Sequence, residues 1–98
     1  MKYTYHPDAL VEYADAALYY EERAPGLGAQ FTAEVEAAIA AVLEAPDRCR
    51  RIEEDVRRYL VHRFPYGLLY TIEPGQISIV AVMHLSREPG YWRHRVSP

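Results

Sequence analysis

The chain has a single cysteine, Cys49, in 98 residues. One thiol cannot close an internal disulfide, nor can it supply the sulfur ligands of a Cys-rich zinc site. The four histidines, His6, His62, His84 and His94, show no metal-ligand spacing, so no metal is expected. No apolar run approaches the roughly 20 residues that cross a bilayer; the longest, Ala37–Leu43, ends at Glu44. Residues Met1–Pro7 lack the apolar core of a secretory signal, and a soluble, cytoplasmic protein with no membrane partner is expected. Gly26-Leu27-Gly28 has neither a third glycine at the required spacing nor a preceding strand, so no dinucleotide cofactor is expected either. Repeats and low-complexity stretches are absent.

Lysine is nearly missing as well, occurring only at Lys2. Residues 1–47 carry nine acidic side chains against two basic ones, Lys2 and Arg23, a net −7. Residues 48–98 carry five acids against nine arginines, a net +4. Arginine offers a planar fork that pairs bidentately with phosphate or carboxylate, so the second half suits an anionic partner. The other reading is a sheet surface kept soluble by ordinary charges, with Glu53, Glu54 and Asp55 compensating nearby. Half the residues are apolar or aromatic and 26% are charged, which fits one globular domain over residues 1–98 with a single core.

The pattern predicts an α+β fold. Lys2–His6 alternates tyrosine with polar residues and reads as a short strand. Pro7 and Asp8 suit a helix start, and the first helix is expected from Pro7 to about Arg23. Its core-facing stripe is expected to be Leu10, Ala14, Ala17, Leu18 and Glu21, with Tyr13 and Tyr20 flanking it. Pro25-Gly26 breaks the chain. A second helix from Gly28 to Glu44 repeats Leu27, Phe31, Val35, Ile39 and Val42, and the short link makes the two an antiparallel hairpin. Beyond a polar loop, with a short extended piece around Cys49–Ile52, come three apolar runs, Arg58–Phe64, Leu68–Glu73 and Gln76–His84. Their connections are too short for a parallel return, so they form an antiparallel meander. Ile77, Ile79, Ala81 and Met83 are expected to face the helices, leaving His84 on the opposite face. A short last helix is expected around Glu88–Arg95, with Ser86 as a possible cap.

Three segments carry a resemblance: Tyr19-Tyr20-Glu21 before Pro25-Gly26-Leu27-Gly28; Phe64-Pro65-Tyr66-Gly67-Leu68-Leu69-Tyr70; and Val82-Met83-His84-Leu85-Ser86-Arg87-Glu88-Pro89-Gly90-Tyr91-Trp92. With the layout they resemble the RelE/ParE superfamily, the toxin halves of bacterial type II toxin–antitoxin pairs, often labelled plasmid stabilisation proteins. The resemblance implies a growth-inhibiting toxin neutralised by a cognate antitoxin, whose target is the ribosome with its mRNA or DNA gyrase. RelE-like members are metal-independent endoribonucleases; ParE-like members poison gyrase. A degenerate, non-toxic binding domain on the same fold is the alternative.

If the chain is a ribonuclease, proton transfer falls to His or Tyr and charge stabilisation to Arg. The candidate catalytic residues are then Arg63, His84 and Arg87. Arg58, Tyr66, Tyr91 and Trp92 are candidates for nucleic-acid or target binding, with the rings able to stack a base. The plainer alternatives are a satisfied sheet-edge histidine at His84 and a packing anchor at Trp92. Ribonuclease members often carry an arginine where this chain has Gly67, and that departure weighs against catalysis.

Overall fold

A computed structural model describes residues 1–96. The chain runs through β1 (Lys2–Tyr5), α1 (Pro7–Arg23), α2 (Leu27–Glu44), β2 (Arg51–Glu53), β3 (Val56–Leu60), β4 (Tyr66–Glu73) and β5 (Gln76–His84). The sheet order is β1-β5-β4-β3-β2. Strands β2 to β5 form the antiparallel meander, and β1 pairs parallel with the first half of β5. The helix hairpin lies between β1 and the meander in sequence, and it supplies the long return that a parallel pair requires.

Local chemistry sets the helix ends. Pro7 opens α1, and the His6 Nδ1 accepts the Asp8 N–H at 3.1 Å. Gly26 sits at φ +86°, a conformation that favours glycine, and turns the chain into α2. Glu21 then reaches across the turn, its carboxylate accepting the Gly26 and Gly28 N–H groups at 3.0–3.1 Å. That carboxylate satisfies orphan donors at the start of α2 and complements its dipole. Gly28 faces α1 so closely that a Cβ would stand 2.6 Å from the Ala17 carbonyl oxygen. The Pro74-Gly75 turn has Gly75 at φ +74°, as a type II turn requires.

The main core lies between the helices and the sheet: Ala9, Ala16, Phe31, Val35, Ala38, Ile39 and Val42 meet Val61, Leu68, Tyr70, Ile77, Ile79 and Val82. A second, smaller core on the far face joins Val56, Leu69, Val80, Ala81 and Met83 under Trp92.

Three expectations need correction. On α1 the inward face is Ala9, Tyr13, Ala16, Ala17 and Tyr20, whereas Leu10 and Leu18 are more than half exposed and Ala14 is exposed. Alanines let α2 and β5 both pack closely against this helix, and the Tyr13 and Tyr20 rings fill the space beside them. His84 lies on the helix side, not the opposite one. Leu69 pairs with Ala81 but Tyr70 pairs with Ile79, so Val80 is an extra residue in β5. This bulge puts Val80, Ala81 and Met83 on the far face and turns Val82 and His84 toward the helices. Finally, Glu88–Arg95 is no helix beyond one 3-10 turn at Arg93–Arg95. Pro89 and Gly90 (φ +78°) lie in the preceding turns, and Ser86 caps nothing helical.

Candidate functional site

On the helix side, the end of β5 and the flank of α1 enclose a groove. Tyr19, Tyr20, Arg23, Tyr66 and His84 line a space of about 430 Å³. It continues past Glu12, Asp15, Val82, Arg87 and Tyr91. Tyr66 is held in an aromatic knot, its ring 5.0 Å from Phe31 and 5.1 Å from His84 in edge-on geometry. Burial pushes the Tyr66 phenol above its ordinary range, and the neighbouring tyrosines add to this. Burial does the same to Tyr91, reinforced by the Glu12 carboxylate that accepts its O–H at 2.6 Å. Neither phenol is available as a base near neutrality.

His84 is tied back to its own turn. Its Nδ1 accepts the Ser86 backbone N–H at 3.0 Å, with the Ser86 Oγ at 2.7 Å. A nitrogen that accepts from a backbone N–H carries no proton, so in the neutral ring the proton sits on Nε2. The remaining ring nitrogen, Nε2, is then a donor, the wrong state for taking a proton from a 2′-hydroxyl.

Beyond Tyr5 the chain leaves the sheet, and β1 no longer covers the edge of β5. Glu12 closes that edge. Its carboxylate accepts the Val82 N–H at 3.0 Å, the Tyr91 hydroxyl, and the Arg95 Nη1 and Nη2 at 2.8 and 3.0 Å. Arg95 also donates to the Val80 carbonyl at 3.1 Å, and its side chain is only 6% exposed. Burial works against the Arg95 charge, but the Glu12 hydrogen bonds and charge outweigh it and hold the guanidinium pKa above its ordinary value. Sequence reasoning missed this cluster. Its members are 83 positions apart, and a lone Glu on an amphipathic helix gives no signal of burial.

On the far face lies a basin of about 250 Å³ lined by Ile52, Glu53, Arg58, Met83, Leu85, Arg87, Pro89, Gly90, Trp92 and Arg93. Arg58 reaches it across β4: a Cβ on Gly67 would stand 3.1–3.2 Å from the Arg58 Cδ and Cγ. The register explains this, since Arg58 opposes Leu69 and Gly67 is its diagonal neighbour on the same face. The Arg87 guanidinium lies 3.8 Å over the Tyr91 ring. Arg93 is paired with Glu53 through two hydrogen bonds of 2.7 and 2.8 Å, which lower the Glu53 pKa.

The seven expected site residues are therefore dispersed. His84, Arg87, Tyr66 and Tyr91 border the helix-side groove, while Arg58 and Trp92 belong to the far face, which Arg87 also reaches. Arg63, at φ +71°, turns the other way and donates to the Gln30 Oε1 at 3.2 Å, with Glu34 at 3.8 Å. Trp92 is 3% exposed and packs on the second core, so its ring is not free to stack a base. Among the described residues no group of three His, Cys, Asp or Glu side chains is placed to hold a metal ion. No helix among the described residues is long and apolar enough to cross a membrane.

A helix hairpin over an antiparallel meander, with grooves at the end of the last strand, is the small α+β architecture that the resemblance to type II toxins implies. Comparison gives the family. The family model described as "ParE toxin of type II toxin-antitoxin system, parDE" matches residues 3–89, and the chain belongs to that family. A solved chain titled "Chromosomal ParDE TA system from P. aeruginosa" is similar in fold, with a TM-score of 0.77 and 13% identity over 88% of this chain and 97% of that one. No curated protein matches the sequence.

Proposed function

We propose that this ParE-family toxin acts by binding its target, DNA gyrase, rather than by cutting message. The carrying observation is the hydrogen bond that Ser86 donates to the His84 Nδ1, which occupies the acceptor nitrogen of the neutral ring and leaves Nε2 as a donor. The separation of Arg63, which is held by Gln30, from Arg58 and Arg87 on the far-face basin supports the same reading, because phosphorane stabilisation needs the cations converging on one phosphate. Gyrase is the target implied by the ParE-like side of the resemblance. The test pairs two assays on the purified protein: supercoiling by gyrase, and primer extension on a message under translation. Inhibited supercoiling with intact message is the expected result; ribosome-dependent cuts would overturn the proposal. Normal growth on induction without an antitoxin would favour the degenerate, non-toxic alternative.

The cognate antitoxin is proposed to cover α1. Leu10, Val11, Leu18 and Tyr19 are each about half exposed there, and large apolar side chains rarely gather at a surface without a partner. Tyr19 also lines the aromatic groove, so one amphipathic segment can bury the stripe and set a side chain between Tyr19 and Tyr66. Acidic side chains of that segment would meet Arg23, Arg63 and Arg87. Reversing the charge at Arg63 and Arg87 together should weaken antitoxin binding, and unchanged affinity would count against this arrangement.

A further inference from the structure

We infer that the far-face basin is a docking site for an acidic peptide segment carrying aliphatic side chains, on the sheet face opposite α1 and sharing only Arg87 with the α1 groove. Three arginines surround it, and only Arg93 has a carboxylate partner, Glu53. Among the described residues Arg58 and Arg87 have none, and both are exposed. Two unmatched guanidiniums on one basin raise its positive potential, and an incoming pair of carboxylates is attracted to it.

The Arg87 guanidinium is held before any partner arrives, and the Arg58 stem is given room over Gly67. The Arg58 stem lies in the space that the missing Gly67 side chain leaves, and the Arg87 guanidinium rests on the Tyr91 ring. Ordering a long side chain is a usual cost of binding, and for Arg87 part of it is met in the free protein. The floor between them is aliphatic. Leu85 is 45% and Ile52 37% exposed, and Met83 and Pro89 complete the lining.

The same floor argues against a nucleic acid. Single-stranded binders present flat aromatic faces for bases to stack on. Trp92 is buried beneath the basin, and Arg87 and Arg95 both lie against the Tyr91 ring. An alternation of acidic and aliphatic side chains matches what remains: forks for carboxylates and an apolar strip between them. The basin keeps these properties whichever target the toxin has.

Trp92 is the only tryptophan and lines the basin, so its fluorescence reports occupancy. The probes are a short synthetic peptide alternating Glu and Leu, its Lys and Leu counterpart, and a single-stranded RNA of matched charge. The Glu/Leu peptide is expected to shift Trp92 emission saturably, with affinity falling as salt rises. Combined Arg58→Gln and Arg87→Gln should weaken that binding about tenfold or more. Leu85→Ala, a milder surface change, should weaken it several-fold and serves if the double variant does not fold. Equal binding by all variants, or no response to the acidic peptide, overturns the inference. RNA binding as tightly as the acidic peptide and lost in the arginine variants would replace it with a nucleic-acid site. Gyrase inhibition has no part in this readout, so either proposal can fail while the other stands.

Discussion

Replacing Glu12 by Gln should be among the most damaging single-atom changes in this protein. The substitution removes a charge and one acceptor while keeping size and shape. Four donors converge on the carboxylate: the Val82 N–H, the Tyr91 O–H and two nitrogens of Arg95. Arg95 is 6% exposed, so losing its counter-charge leaves a buried cation without compensation. Breaking such a pair from one side costs about 3–5 kcal/mol. The Asp8 carboxylate stays at 3.7 Å from the Arg95 Nε, and the amide oxygen still accepts, which together reduce the loss to about 2–3 kcal/mol. In a domain of this size 1 kcal/mol moves Tm by about 4–8 °C, so a fall of roughly 10–20 °C is expected. Thermal unfolding followed by circular dichroism measures it. A cycle with Arg95→Met isolates the pair: the double variant should be no less stable than the worse single, a coupling of about 2 kcal/mol. Additive losses, or a Glu12→Gln variant that melts within about 3 °C of the parent, would refute the assignment of Glu12 as the closure of the sheet edge.

Other perturbations test other parts of the molecule. Gly28→Ala should destabilise by about 1–3 kcal/mol despite alanine's better helix propensity, because the new methyl meets the Ala17 carbonyl; urea unfolding would show it, and a gain in stability would mean the hairpin parts without strain. Burial, with Glu36 and Tyr3, raises the Tyr5 phenol from 10.0 to about 12. A raised phenol contributes stability that is whole below the unfolded value near 10 and is lost as pH climbs toward 12. Tm should therefore be flat into mildly alkaline pH and fall between about 10 and 12, whereas simultaneous ionisation of all nine tyrosines near 10 in folded protein would contradict this. Leu10→Glu with Leu18→Glu should leave Tm within about 1–2 °C, both positions being exposed, yet abolish co-purification with the antitoxin. Retained co-purification would move the antitoxin off α1.

Much of the architecture was legible because its signals are local. Pro25-Gly26 and Pro74-Gly75 mark turns that glycine's positive φ confirms, and the four-residue repeat through Phe31, Val35 and Ile39 fixes the buried face of α2. The α1 face was misread because aliphatic size stood in for burial: Leu10 and Leu18 are large and apolar yet exposed, whereas the inward face combines the small Ala9, Ala16 and Ala17 with the rings of Tyr13 and Tyr20. His84 was misplaced for a different reason. Strict alternation along β5 fails at Val80, and nothing in Ile79-Val80-Ala81 signals that one residue is left out of the pairing. Arg63 and Arg87 were grouped by type, whereas their directions depend on a left-handed Arg63 and a stacking contact with Tyr91. The grouping was chemically sound and spatially wrong.

The space above Gly67 makes positions 58 and 67 a single unit. Any side chain at 67 must share volume with the Arg58 stem, which lies 3.1 Å from where its Cβ would be. An arginine grafted there would find its Cβ against the Arg58 Cδ and Cγ, so the Arg58 stem would have to give by a few tenths of an ångström and its guanidinium would be re-aimed. A side chain added at 67 and the direction of the cation at 58 are thus set together, and the geometry of the arginines on this face is inherited from a glycine two residues along the neighbouring strand from the residue Arg58 opposes.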